Sequence, residues 1–285
     1  MSKSIPAPEL PPETIPVLKQ IEDRKRRFTI QVRIVIAIIV LALLLLLKFL
    51  GLDFNFMQKW SGFILQGTGF TLFVSVMAIS LACILALVGA LGRLSRIPLA
   101  NGIATFYVSL VRGTPLLVQV FMWYLALPQL GQALEEAGLS GAQKLLTLPA
   151  IPAGILALGV CYGAYMTETF RAGIQSINIG QTEAAQALGM TKSQITRRVI
   201  LPQALRLIIP PVSNEFIAMI KDSSLVSLMG VWEISYRAAK IGRRYFRSLE
   251  MLIMAALFYW ILCIILQAVQ EKIEAHMARG ERKRQ

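Results

Sequence analysis

Apolar residues in this chain run in long blocks parted by short polar stretches rich in arginine and lysine. The blocks fall at about 34–50, 64–91, 102–127, 148–170, 203–228 and 250–269. With a rise of ~1.5 Å per helical residue, the five later blocks are each long enough to cross a hydrocarbon core about 30 Å thick. A backbone in lipid must satisfy its own hydrogen bonds, so the pattern predicts an all-α, polytopic membrane helical bundle of about six spans. Within the second block Ala78, Ala82, Ala86 and Ala90 recur every four residues. They form a smooth stripe that lets another helix approach closely, and Gly159 and Gly163 offer the same in the fourth block.

Composition sharpens this picture. Hydrophobic residues make up 55% of the 285 and charged residues 16%, against roughly a quarter charged in soluble domains, and mean hydropathy is +0.61. The formal net charge is +13, and its Lys and Arg flank the apolar blocks, which suits topology setting and anionic lipid heads better than nucleic acid. Residues 1–33 read as a cytoplasmic N-terminal tail, flexible over 1–20, that ends in the basic cluster Arg24 to Arg27 and Arg33. The block 34–50 reads as an additional N-terminal anchor helix rather than a cleaved leader, because no small-residue cleavage site follows it.

Six spans place both termini on one side, and the basic tail 270–285 agrees with a cytoplasmic location for both. Loops near 92–101 and 171–202 then face inward, and those near 51–63 and 128–147 outward. One loop conflicts with this order. Residues 229–249 are assigned to the outside yet carry Arg237, Lys240, Arg243, Arg244 and Arg247; a solvated or lipid-touching stretch is the expected reading, with contact to an acidic external partner as the alternative.

Classes of chemistry fall away in turn. Cys83, Cys161 and Cys263 each lie in an apolar block without metal-ligand or disulfide spacing, and the single histidine, His276, sits in the charged tail. No metal site is expected. The nearest approach to a phosphate-binding loop, Gly189 to Ser193, has Thr191 where a glycine is required, so no bound cofactor is expected on this chain.

The inner loop 178–202, NIGQTEAAQALGMTKSQITRRVILP, is the most informative stretch. Thr182 to Leu188 is rich in helix formers, and Gly189 is placed to end that helix in a left-handed cap. Thr191 with Gln194 forms a capping box for a second helix, and Pro202 marks a turn or kink. A short helix, a glycine bend and a second helix between two spans make a rigid knob suited to a groove on a partner. Arg197 and Arg198 would suit a DNA-reading helix–turn–helix, but tethering of both ends in the bilayer argues against it; an ordinary connector is the plain alternative.

Here the sequence resembles a known family. Glu183-Ala184-Ala185, then Gly189, then Val199-Ile200-Leu201-Pro202 resembles the EAA loop of ABC importer permeases, with Val199 where Ile is usual. Arg112 to Gln119 (RGTPLLVQ), Tyr165 to Ile174 (YMTETFRAGI), Pro202 to Arg206 (PQALR) and Lys221 to Leu225 (KDSSL) are similar to segments of the polar amino acid permeases, the group of histidine, glutamine and arginine importers. The resemblance covers about 66–269 and implies a type I ABC importer transmembrane domain over 64–269, with loop 178–202 as its coupling helix. It further implies three partners: a second permease subunit, identical or related, a cytoplasmic ABC ATPase dimer that handles ATP and Mg, and an extracytoplasmic amino-acid-binding protein. Localisation in a bacterial plasma (inner) membrane follows. On this resemblance Glu183, Ala184, Ala185, Gly189 and Pro202 carry ATPase coupling.

For the path itself, ionisable groups at membrane depth usually face a cavity or a partner. Arg112, Glu168, Glu215, Lys221 and Asp222 qualify, and Glu168 and Arg171, three apart, are placed to pair on one helix face. Pro210-Pro211 is expected to break the fifth span near a transport site. Thr114, Gln119, Glu168, Asn214 and Lys221 have the donors and acceptors a zwitterion needs and are the substrate-path candidates; helix–helix hydrogen bonding is the alternative role for each. An ion-coupled secondary transporter or channel is the rival function, and a membrane-embedded enzyme a third, lacking any metal, Cys/His or serine constellation.

Overall fold

The structure is a computed structural model that describes residues 14–49 and 51–282. Contacts divide the chain into two units, Met1–Phe54 and Asn55–Gln285. In the first, helix α1 spans Thr14–Phe49, so the residues from Thr14 onward are helical where a flexible tail was expected; residues 1–13 lie outside the described residues. Its stretch Asp23–Phe49 is long and apolar enough to cross a membrane.

The second unit is helical throughout, with no strand among the described residues. After the short α2 (Phe54–Leu65) come α3 (Gly67–Leu94), α4 (Pro98–Arg112) and α5 (Leu116–Phe121). A π-turn, Met122–Ala126, leads to α6 (Leu127–Glu136) and the single-turn α7 (Ala142–Leu146). Then follow α8 (Ala150–Gln175), α9 (Ile179–Ala187), α10 (Lys192–Ile195), a second π-turn Thr196–Ile200, and α11 (Leu201–Asp222). A 3-10 turn, Ser223–Met229, precedes α12 (Ile234–Tyr245) and α13 (Ser248–Arg282).

Helices α3 and α8 form the centre. The alanine stripe is the reason: Ala78, Ala82, Ala86 and Ala90 are all fully buried. A Cβ added at Gly159 would stand 2.7 Å from the Leu81 side chain, and one at Gly163 would stand 2.8 Å from both Leu85 and the Tyr107 hydroxyl. Only small residues permit that approach. The main core gathers Val74, Leu158, Met166, Met219 and Val226 around this seam.

Four helices among the described residues are long and apolar enough to cross a membrane, or five if the bent pair Pro98–Arg112 and Leu116–Glu136 is one span. The expected sixth is α11. Its 22 residues reach about 33 Å, but Arg206, Glu215, Lys221, Asp222 and three prolines make it too polar to qualify by composition.

Three expectations are corrected here. The third block, 102–127, is not one helix: it bends by 104° between α4 and α5. The cause is local, since Pro115 is extended (φ −63°, ψ 137°) and begins a new helix after Gly113 caps the old one. Conversely Pro210-Pro211 does not break the fifth span, because α11 runs through both. The expected external loop 229–249 is largely the helix α12, whose Arg237 is buried rather than solvated.

Candidate functional site

The knob after α8 has the architecture its residues dictate. Asn178 opens α9 by accepting a 2.8 Å hydrogen bond from the Gly180 amide. The helix ends where Gly189 turns left-handed, φ +76°, with its N–H donating to the Gln186 carbonyl (2.9 Å) and the Met190 N–H to that of Ala185 (3.1 Å). The capping box then forms: the Thr191 amide donates to Gln194 Oε1 (2.9 Å) and the Gln194 amide to Thr191 Oγ1 (3.4 Å). Ala185 and Ile195 are the buried positions of the two arms. Glu183, Ala184 and Pro202 are exposed, and so are the apolar Ile179 and Leu188, the latter 82% accessible. Pro202 falls in the first turn of α11, where the chain changes from π to α winding. The Asn178 cap and the bare Leu188 add to what sequence reasoning found; an Asn before a helix-forming run was the available signal.

An ionic cluster lies at the same end of the bundle. Glu168 on α8 takes Arg171 Nη2 at 2.7 Å and Arg93 Nε of α3 at 3.3 Å. Arg93 also donates to Thr105 Oγ1 of α4 (2.6 Å), and Asn101 Nδ2 to the Arg93 carbonyl (2.8 Å). Three helices are thereby tied beside the knob's root.

At the α4–α5 break, Gln119 is buried and its Nε2 donates to the Val111 carbonyl (2.8 Å), the Thr114 carbonyl (3.1 Å) and Thr114 Oγ1 (3.0 Å). It satisfies backbone groups that the bend leaves without helical partners. Both residues line a mostly apolar cavity of about 470 Å³. A smaller and more polar cavity, about 300 Å³, lies between α5, α8 and α11 and is lined by Leu116, Cys161, Tyr162, Tyr165, Glu215 and Asp222. In it the Tyr162 hydroxyl donates to Asp222 Oδ2 at 2.8 Å, and the Arg112 guanidinium stands 5.3 Å over the Tyr165 ring.

The five expected path residues are not brought together. Thr114 and Gln119 hold the break, and Glu168 belongs to the ionic cluster. Asn214 accepts from Gln270 Nε2 (2.9 Å), and Lys221 lines a separate cavity of about 570 Å³ with Ser235, Tyr259 and Gln267. Adjacent helical residues diverge by about 100°, which is why Lys221 and Asp222 face different cavities. The acidic cavity was nonetheless readable: Tyr162 and Tyr165 are three apart, and Glu215 and Asp222 seven apart, so each pair shares one helix face.

A bundle centred on small-residue helix seams, with a rigid capped knob between two of its helices and polar cavities at depth, defines a multi-pass membrane transport component. Comparison with known proteins makes that specific. The family described as binding-protein-dependent transport system inner membrane component matches residues 78–279. The L-cystine transport system permease protein TcyB of Bacillus subtilis is 39% identical over 214 residues, covering 75% of this chain and 86% of that protein. The probable amino-acid ABC transporter permease protein PatM of Vibrio harveyi is 36% identical over 231 residues, covering 81% and 99%. Among solved structures, an amino acid ABC transporter crystallised with histidines superposes with TM-score 0.69 at 34% identity, over 79% of this chain and 99% of that one. The chain belongs to the binding-protein-dependent transport system inner membrane component family, and is a multi-pass inner membrane protein.

Proposed function

We propose that the chain is the permease subunit of an ATP-driven ABC importer for polar amino acids. It forms the translocation path with a second permease subunit, identical or related, and takes substrate from an extracytoplasmic binding protein. ATP and Mg are handled on a separate cytoplasmic ATPase dimer, and both termini of this chain lie on the ATPase side. The observation that carries this reading is the α9–Gly189–α10 knob, a bent pair of helices stiffened at both caps and set into a family whose relatives are amino acid permeases.

The knob is the handle that the ATPase grips. Glu183 and Ala184 lie on its exposed side with Leu188 and Ile179, Ala185 packs inward to hold the arms, Gly189 sets the bend, and Pro202 joins the handle to α11. Closure of the ATPase dimer then biases the bundle between its two facing states by its differential affinity for them. For the substrate, Glu215 and Asp222 with the hydroxyls of Tyr162 and Tyr165 offer acceptors for an ammonium group, and Arg112 lies near enough to meet a carboxylate. Thr114 and Gln119 shape the bend beside that cavity, while Asn214, Lys221 and Glu168 act away from it, in the helix contacts, the second cavity and the ionic cluster described above.

Reconstitution tests the reading. Proteoliposomes holding this chain with its ATPase and binding protein should take up amino acid only with ATP, and Glu183→Arg should abolish uptake while the complex's ATP hydrolysis becomes independent of substrate. Uptake driven by an ion gradient without ATP or partners would refute it.

A further inference from the structure

The basic helix α12 raises a question of its own, since its cations lie at the end of the bundle away from the knob. Gly67, the first residue of α3, meets α12 so closely that an added Cβ would stand 2.6 Å from the Ile234 nitrogen. The other end of α3 carries Arg93, bound to Glu168 and hence to the knob end of α8. Helix α12 is held rigidly there. Glu233, fully buried, caps it by accepting from the Tyr236 amide (2.7 Å) and also accepts from the Tyr259 hydroxyl of α13. Arg237 turns inward to the Phe63 carbonyl (3.0 Å), Gln66 Oε1 (3.1 Å) and the Trp232 carbonyl (2.9 Å).

What remains outward is a run of exposed cations, Lys240, Arg243 and Arg244, that make no ion pair among the described residues. Aromatic rings interleave with them. Lys240 Nζ stands 3.9 Å over the Trp232 ring, and Trp60 contacts Tyr245 at 5.5 Å between centroids. Such rings, apolar in body and polar at the rim, are the residues enriched at headgroup level.

Depth agrees. Helix α13 begins its apolar span at Ser248, three residues after α12 ends. Helices α2 and α3 together run 41 residues, about 60 Å, twice the ~30 Å hydrocarbon core, so α2 extends along or past its edge. Phe246 closes the case. It ends α12 in the left-handed conformation, φ 55°, a position that favours glycine, yet its ring is 95% exposed. A bare aromatic ring held out on a left-handed backbone is suited to the acyl chains beneath a headgroup.

We infer that α12 with the adjoining face of α2 is a binding site for anionic phospholipid, with Lys240, Arg243 and Arg244 on the phosphate and Phe246 and Trp232 on the glycerol and acyl boundary. The site explains why cations sit at the far end from the knob, against the usual topological bias. An acidic protein face is the competing occupant; the surface rings favour lipid, because they supply apolar contact that a solvated acidic face does not match.

Tryptophan quenching by brominated lipid tests this. The full chain with Trp123→Phe and Trp260→Phe keeps Trp60 and Trp232 as reporters. It is placed in nanodiscs of phosphatidylcholine with increasing dibrominated phosphatidylglycerol, or with dibrominated phosphatidylcholine as reference. The anionic lipid should quench at lower mole fraction, and its preference should fall by about fivefold for each charge removed by Lys240→Gln, Arg243→Gln and Arg244→Gln. The charge-keeping set Lys240→Arg, Arg243→Lys, Arg244→Lys should retain it, which separates lost charge from lost folding. Equal quenching by both lipids, or a preference unchanged in the triple glutamine variant, overturns the site. So does a triple variant that keeps its lipid preference but loses the binding protein's stimulation of ATP hydrolysis, which would assign the patch to that protein.

Discussion

Substituting Gly189 isolates the bend from every contact around it. No heavy atom would lie within 4 Å of a Cβ built there, and φ is +76°, so Gly189→Ala adds backbone strain and no clash. Holding a non-glycine residue left-handed costs about 1–2 kcal/mol. If the free knob relaxes to escape that strain, it loses the hydrogen bonds from the Gly189 and Met190 amides to the Gln186 and Ala185 carbonyls, and binding must restore the bend. Affinity for the ATPase then falls by about the same energy, five- to thirtyfold. Asparagine tolerates the left-handed region, so Gly189→Asn should recover most of that loss. Titration of labelled ATPase against the permease in nanodiscs measures both variants, and ATP hydrolysed per amino acid transported should rise for Ala and stay near the parent value for Asn. An alanine variant within twofold of the parent would refute the argument. So would an asparagine variant as impaired as alanine, since that pattern reports a steric contact and not a bend.

Three further substitutions probe the frame. Glu168→Gln leaves Arg93 and Arg171 without their carboxylate and should cost about 1–3 kcal/mol in reversible denaturation, less in a background that already carries Arg93→Gln; purely additive losses would deny the cluster. Gly67→Ala drives a methyl into the backbone at Glu233 and Ile234, an overpacking that should destabilise by about 1–3 kcal/mol, and unchanged thermal unfolding would contradict that seam. Phe246→Gly relieves the left-handed strain and should stabilise detergent-solubilised protein by about 1 kcal/mol, visible as raised thermal stability; a loss there would mean the ring packs within the chain.

Local rules carried the legible part. The knob was readable because each of its features is set within four residues: Gly189 as a left-handed cap, Thr191 with Gln194 as a capping box, and helix formers before them. The Glu168–Arg171 pair follows from helical spacing alone, and the alanine stripe of α3 declared its own seam. The partner of that pair, Arg93, lies 75 residues earlier on another helix, beyond any local pattern. Apolar length also found α11, as the block 203–228, although its charges, which line cavities and make helix contacts, leave it too polar to qualify by composition.

The misplaced helix break shows why prolines are poor guides at depth. A proline removes one donor and crowds the preceding turn, yet α11 runs through Pro210 and Pro211, both only partly buried. Gly113-Thr114-Pro115 does break its helix, since Pro115 forces an extended backbone beside a residue that caps freely, and Gln119 is at hand to take up the liberated carbonyls of Val111 and Thr114. A break therefore needs a side chain able to satisfy what it frees. Helical spacing places the acidic cavity: Glu215 and Asp222 sit two turns apart on one face of α11, which brings both carboxylates to the Tyr162 and Tyr165 side of α8.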